Sequence, residues 1–339
     1  LEIYGGIFSC LQEERDVIFS GHTGVIHQGM GYDIFTSHIS PKMLMHFILG
    51  SEGTLGVITE ITLRLDIEKK YSEGIALSLA SLDELPPLIE NLLHSYPTSF
   101  DGFDTRTLSL SSYATKIINE RHGNDVFTLF VVYSGDQDTV ERSIKKTFAT
   151  IPLPKDKKFI CSAKELAVYR DIIFNQRKDL STSTDGALTP LSLCNDLVFP
   201  TTSLSLALKE VQSVCEEYNV PYSTVIHAGT GVVRVETLFD MADENTPEIY
   251  IEMLAHIAKI VKWYRGAITY SYGDGIINTP VLPLIYGADV GMTLKKIKKV
   301  WDPSNIFNPG KKTTIDMSFL KKHFKIKNEE TENPTEVTL

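Results

Sequence analysis

Gly50-Ser51-Glu52-Gly53-Thr54-Leu55-Gly56-Val57-Ile58-Thr59-Glu60-Ile61-Thr62-Leu63 joins two patterns that decide how the chain is read. Glycine recurs at every third position from Gly50 to Gly56, a spacing that lets bare backbone N–H groups approach a ligand closely. The apolar–polar alternation of Val57 to Leu63 then predicts a half-buried strand. A Rossmann fingerprint needs a helix after its glycines, so that a pyrophosphate meets the helix N-terminus, and a P-loop needs a Lys-Ser/Thr pair; neither follows here. The residues alone leave two readings open, a cradle for a dinucleotide and a glycine-rich turn between a helix and a strand.

Around this stretch, residues 1 to 70 are rich in Gly, Thr and short β-branched runs and read as strands and turns. Beyond Tyr71 the rhythm becomes strand then helix. Gly74 to Ala80 precedes an acidic helix start at Leu82-Asp83-Glu84. Phe127 to Tyr133 precedes a helix from Asp136 to about Thr147, and Leu193 to Phe199 precedes one opening at Thr202 or Ser203. In that last helix Leu204, Leu208, Val211, Cys215 and Tyr218 recur at the spacing of one buried stripe. Tyr222 to His227, Gly231 to Phe239, a helix from about Pro247 to Tyr264, and Ala267 to Ser271 complete the pattern. Such units predict an α+β architecture, a ferredoxin-like domain over about 71–285 whose antiparallel sheet carries helices on one face.

Composition narrows the partners. A formal charge of -10 and a pI near 5.4 argue against nucleic acid, whose binders concentrate positive charge. Cys10, Cys161, Cys194 and Cys215 stand far apart without a C-x-x-C pair, which predicts buried thiols in a reducing compartment. The apolar runs are strand-length, so membrane contact is expected to be peripheral at most, and the expected location is the cytoplasm. Lys295, Lys296, Lys298 and Lys299 read as a solvated helix face. The opening on Leu1 reads as a cut start, residues 316–339 as a partly disordered tail, and the polar run of residues 327–339 within it as frayed.

Gly31-Tyr32-Asp33-Ile34, the run from Gly50 to Leu63, Trp301-Asp302-Pro303 and Asn308-Pro309-Gly310-Lys311 together closely resemble motifs of the FAD-linked oxidase family, the D-lactate dehydrogenase and glycolate oxidase type. The resemblance implies that residues 1–70 are the second lobe of a vanillyl-alcohol-oxidase (PCMH)-type FAD-binding domain. It makes 71–285 the substrate cap domain and 286–315 the segment returning to the flavin domain. It also implies FAD as cofactor, with Gly50, Ser51, Gly53, Thr54, Gly56, Val57, Ile58 and Asn308 as cofactor-binding positions along the adenosine end. The family's first FAD-binding lobe, which holds the pyrophosphate, has no counterpart before Gly5 and is expected as a missing partner. The implied reaction is oxidation of a small 2-hydroxy acid such as D-lactate or glycolate, with a quinone, cytochrome or partner subunit accepting the electrons.

Such a reaction needs a cation for the carboxylate and a base for the hydroxyl proton. Phe174-Asn175-Gln176-Arg177 resembles the family's aromatic-x-x-Arg segment, which makes Arg177 a substrate contact; read alone, it is an arginine on a solvated helix face. In Ile226 to Arg234, related enzymes carry two histidines seven apart which, with a later glutamate, ligate a divalent metal. Here the second is Arg234, which cannot donate to a metal, and Ser271 and Tyr272 stand where the family has Glu-His, so no metal is expected. His227 remains as candidate base or as a hydrogen-bonded histidine at a sheet edge. Arg234 is a candidate carboxylate partner or a cation that tunes Tyr272. The alternative is a non-catalytic FAD-binding or assembly subunit with a degenerate site. Alkyl-transferring ether-lipid synthases share the glycine loop, but their histidine-rich segment is not found here.

Overall fold

The computed structural model describes residues 2–21, 23–25, 28–34, 43–184, 186–194 and 196–324. Its centre is an eight-stranded antiparallel sheet: β1 (Tyr71–Leu79), β2 (Ser99–Asp104), β3 (Phe127–Gly135), β4 (Lys158–Cys161), β5 (Thr189–Ser192), β6 (Leu197–Val198), β7 (Tyr222–His227) and β8 (Val232–Phe239). The order is β4-β1-β3-β2-β7-β8-β5, with β6 also on β8.

Strand alternation sends side chains to opposite faces. Ile75, Leu77 and Leu79 of β1 join Phe127, Leu129, Val131 and Tyr133 of β3 in the larger core. Helices that close that core include α1 (Leu85–Leu93), α2 (Gln137–Thr150), α4 (Leu204–Glu217) and α5 (Thr246–Trp263). Each fully buried apolar side chain contributes on the order of 2 kcal/mol.

The second face was expected to be bare, but α3 (Ala163–Thr182) crosses it from β4 towards β5. Its Leu166, Tyr169, Ile172 and Ile173 pack on Ala76, Phe130, Val132 and Val225. Helix α3 starts where it does because Ser162 and Glu165 form a reciprocal capping box. It lies close because β1 has glycine beneath it: a Cβ on Gly74 would stand 2.7 Å from Leu166 Cδ2. The β-α alternation read from the sequence did not include this helix, which was met only as a helix face around Arg177.

Several local expectations are corrected. Among the described residues of 1–70 no strand forms: Glu2–Glu13, Arg15–Ser20 and Met43–Ile48 are helical, and Ile7, Cys10 and Leu11 form a buried helical stripe against the helix Asp289–Trp301. Val57 to Leu63 has no regular secondary structure and pairs with no strand among the described residues, and Val57, Ile61 and Leu63 are exposed. Alternation supplies strand propensity, and a partner edge must supply the ladder. Leu193 to Phe199 keeps only β6, after a break at Cys194 with φ +67°. Ala267 to Ser271 keeps one bridge, to Val198. In the expected tail, Met317–His323 is a helix with Leu320 buried, and 325–339 lie outside the described residues. Lys298 is buried, unlike the solvated lysines expected around it. The four cysteines are all buried and free. No helix among the described residues is long and apolar enough to cross a membrane.

Candidate functional site

The hairpin of β7 and β8 pairs Ser223 with Glu236, Val225 with Arg234 and His227 with Val232. His227 and Arg234 are therefore diagonal neighbours on one face, a separation of roughly 7–8 Å between backbones in such a pair. Helix α3 crosses at the level of Ser223 and Glu236, where Gln176 donates to Ser223 Oγ at 3.0 Å and Arg177 meets Glu236 at 3.5 Å. His227 and Arg234 lie beyond the helix, towards the turn, and stay accessible.

Arg234 is anchored from behind. Its Nε donates to Oδ1 of the almost wholly buried Asp196 at 3.0 Å, and its Nη2 lies 3.5 Å from the Tyr272 hydroxyl. Nη1 meets no acceptor among the described residues. Burial alone would lower the Arg234 pKa; Asp196 beside it outweighs that and holds it above the ordinary arginine value. Burial raises the Asp196 pKa, with Arg234 and then His227 offsetting part of the rise. The guanidinium thus keeps its charge and presents its outer edge, suited to a carboxylate. Tyr272 is exposed, with its ring 5.7 Å from the Arg234 guanidinium.

His227 is oriented by Asp101 of β2, its cross-strand partner, with Nδ1 2.7 Å from Asp101 Oδ1. A carboxylate can only accept, so Nδ1–H is the donor in this contact, the arrangement of a base with a positioning carboxylate. Both residues line a cleft of about 540 Å³ with Phe100, Thr230 and Tyr270.

Arg177 sits on an exposed part of α3, as its solvated reading expects, and also holds structural partners. Its guanidinium donates to Pro190 O at 2.9 Å and Ser192 Oγ at 3.2 Å and pairs with the buried Glu236. Much of its fork is engaged in tying α3 to β5 and β8. Burial pushes the Glu236 carboxyl up, with Ser192 and Arg177 offsetting part of the rise. Asp101, Asp196, Ser192 and Glu236 were not anticipated as site residues. Acids within strand-like apolar runs, as in Phe100-Asp101-Gly102-Phe103 and Asp196-Leu197-Val198-Phe199, were the available signal, because buried carboxylates come with partners.

The glycine loop sits elsewhere and is tied from behind through its carbonyls. Asn308 Nδ2 donates to Glu52 O at 2.7 Å, Lys298 Nζ to Thr54 O at 2.5 Å, and Thr54 Oγ1 to Ser51 O at 2.6 Å. Thr54 also meets the Tyr32 hydroxyl at 2.9 Å, so its side chain faces inward, and Ser51 is buried. The N–H groups of Gly53, Gly56 and Val57 donate to no acceptor among the described residues. Gly53 adopts φ +69° with open space where a Cβ would stand, so a glycine there both permits the turn and leaves the outer side clear. Beside the loop runs a groove of about 720 Å³ lined by Met45, Leu49, Leu55, Val57, Ile61 and Trp301. The Trp301 Nε1–H is buried without a partner. Free N–H groups and an orphaned donor next to an apolar groove fit the phosphate and flat base of a dinucleotide. Val57 and Ile58 offer exposed side chains, and Gly50 forms the entry turn at φ +72°, while Asn308 spends its amide on the loop itself. No group of three His, Cys, Asp or Glu side chains among the described residues is placed to hold a metal.

The family model described as FAD linked oxidases, C-terminal domain, matches residues 70–312. The chain is 24% identical over 272 residues to the glycolate oxidase subunit GlcD of Bacillus subtilis, covering 79% of this chain and 56% of the relative. It is 22% identical over 329 residues to the D-2-hydroxyglutarate dehydrogenase of Escherichia coli, covering 91% of this chain and 32% of the relative. The chain therefore spans about half or less of these relatives' length. Among solved structures, 4-ethylphenol oxidase from Gulosibacter chungangensis superposes with a TM-score of 0.51 at 13% identity, over 72% of this chain and 54% of that one. An alkyldihydroxyacetonephosphate synthase does so with a TM-score of 0.53 at 18% identity, over 80% and 49%. At these identities the likeness is one of fold.

Proposed function

The chain belongs to the family of FAD linked oxidases, C-terminal domain, and from that premise we propose that it carries the substrate-handling face of an FAD-dependent dehydrogenase of a small 2-hydroxy acid. The observation that carries this reading is the pairing, on one sheet face, of the Arg234 fork anchored by buried Asp196 with a histidine oriented by Asp101. The relatives named for glycolate and D-2-hydroxyglutarate support a 2-hydroxy acid as the substrate class, the second pointing to the D configuration where C2 is chiral.

The chain's own residues divide the work. Arg234 holds the substrate carboxylate through Nη1 and Nη2, because its Nε is already committed to Asp196. His227 Nε2 takes the hydroxyl proton, and Asp101 stabilises the imidazolium that results. Tyr272, beside Arg234, closes the carboxylate end as a hydrogen-bond donor. Gly53, Gly56 and Val57 hold the cofactor through backbone N–H groups, with the groove at Trp301 taking its apolar part. When bound, FAD supplies the two-electron oxidant for the carbinol carbon.

The test is anaerobic absorbance of the full-length protein that contains this chain, loaded with FAD and titrated with a panel of D- and L-2-hydroxy acids. Bleaching of the flavin bands by one or more D acids is expected. FAD-loaded protein that no 2-hydroxy acid bleaches would favour a non-catalytic FAD-binding or assembly subunit, and protein that takes up no FAD would overturn the reading altogether.

A further inference from the structure

Away from the sheet face, four stretches far apart in sequence meet on one buried ammonium. Lys312 is wholly buried, and its Nζ donates to Asp274 Oδ2 at 2.8 Å and to Glu52 Oε1 at 3.3 Å. Asp274 Oδ2 also accepts the Gly31 N–H at 2.8 Å, and Glu52 Oε1 accepts the Gly275 N–H at 3.0 Å. Gly273, at φ +79°, makes room for this, because a Cβ there would collide with the Glu52 carboxylate. Glu52 belongs to the glycine loop and takes a left-handed turn at φ +56° without being glycine. Asp274 follows Tyr272 by two residues. The lysine therefore bridges the loop that presents free N–H groups to the cofactor and the loop that presents a phenol beside Arg234.

Apolar packing would let two loops adhere over a range of positions. A buried ammonium is more demanding, since an unpaired charge in the interior is very costly and the network is favourable only with its partners within hydrogen-bond reach. Moving either loop away strips Lys312 of a carboxylate and strands the other.

We propose that Lys312, acting through Glu52 and Asp274, is a positioning residue that sets the Tyr272 loop against the glycine loop. What the two loops carry rests on the proposed function; the coupling between them does not. Coupling of this kind is reciprocal, so a change on one loop is read on the other.

Hydrogen exchange on the protein without cofactor or substrate tests it. Glu52→Gln keeps an acceptor for the Gly275 N–H while removing the charge that faces Lys312, and Glu52 is partly exposed, so the fold should tolerate it. Exchange in the peptide covering residues 271–275 should then quicken by at least about fivefold, the lower end of ordinary intersite coupling. Peptides of β1 and β3 should stay unchanged, which controls for the fold. In the FAD-loaded full-length protein, Asp274→Asn should raise the FAD dissociation constant although Asp274 is not on the glycine loop. Unchanged exchange at 271–275 in Glu52→Gln, or unchanged FAD affinity in Asp274→Asn, would overturn the proposal. Wild-type protein that takes up no FAD would instead refute the flavoenzyme reading, with the exchange result standing on its own.

Discussion

Replacing Arg234 with Met keeps an unbranched stem on the sheet and removes the guanidinium, and two separable losses should follow. A hydrogen bond between charged groups contributes about 1.5–3 kcal/mol, so two from Nη1 and Nη2 amount to about 3 kcal/mol or more. That corresponds to a roughly 100-fold weaker apparent affinity for the hydroxy acid. Asp196, only 3% exposed, also loses its partner, and breaking a buried pair in this way costs about 3–5 kcal/mol of stability. The Asp196 carboxyl is already raised by burial and rises further without Arg234. With its folded pKa above the unfolded one, the deficit is fully present above the folded pKa and shrinks as pH falls towards the unfolded value. Adding Asp196→Asn to the variant should restore stability and leave the affinity loss in place. Stopped-flow flavin reduction under anaerobic conditions reads the affinity, and urea unfolding reads the stability. An Arg234→Met protein with unchanged apparent affinity would refute Arg234 as the carboxylate anchor. Equal stability of single and double variants would refute the role given to Asp196.

His227→Asn should lower the rate of flavin reduction by about 10²–10⁴-fold, the usual contribution of a positioned base, with a smaller loss for Asp101→Asn; an unchanged pH–rate profile in either would contradict the assignment. His122 is buried between Ser78 and Tyr169, and burial pushes its pKa down to about 4. The unfolded chain, with an imidazole near 6.5, binds the proton first, so stability should be full above that value. It should fall as pH drops from about 6.5 to about 4, by about 3 kcal/mol in all at roughly 1.4 kcal/mol per pH unit. His122→Gln should flatten that slope in urea unfolding followed as a function of pH.

Strand β3 was legible because both of its faces are apolar, as in Phe127 to Tyr133, and the helix after it because Asp136 marks its start; the shorter β2, β4 and β5 and the helix start at Ser162 were not read. Val57 to Leu63 shows the limit of such reading: its alternation is real, yet pairing depends on an edge that no local pattern encodes. Likewise the helix Glu2–Glu13 was hidden by its glycines and β-branched residues, and owes its place to burial of Ile7 and Leu11 against a helix nearly 300 residues away. In the site, His227 and Arg234 were legible together because a hairpin brings residues seven apart onto one face. Asp196, Asp101 and Glu236 were not, because their roles depend on register and on a break between strands. Arg177 stays exposed, as its solvated reading expects, but the crossing of α3 over β8 also gives it Glu236 as a partner, which no local pattern encodes.

The most direct test of the central claim is single-turnover flavin reduction of the FAD-loaded full-length protein by a D-2-hydroxy acid carrying deuterium at the carbinol carbon. The flavin bands should bleach, and deuterium should slow bleaching severalfold, since that C–H bond breaks in the step served by His227 and Arg234. Flavin that stays oxidised with every 2-hydroxy acid, or bleaches at the same rate with the deuterated one, would contradict it.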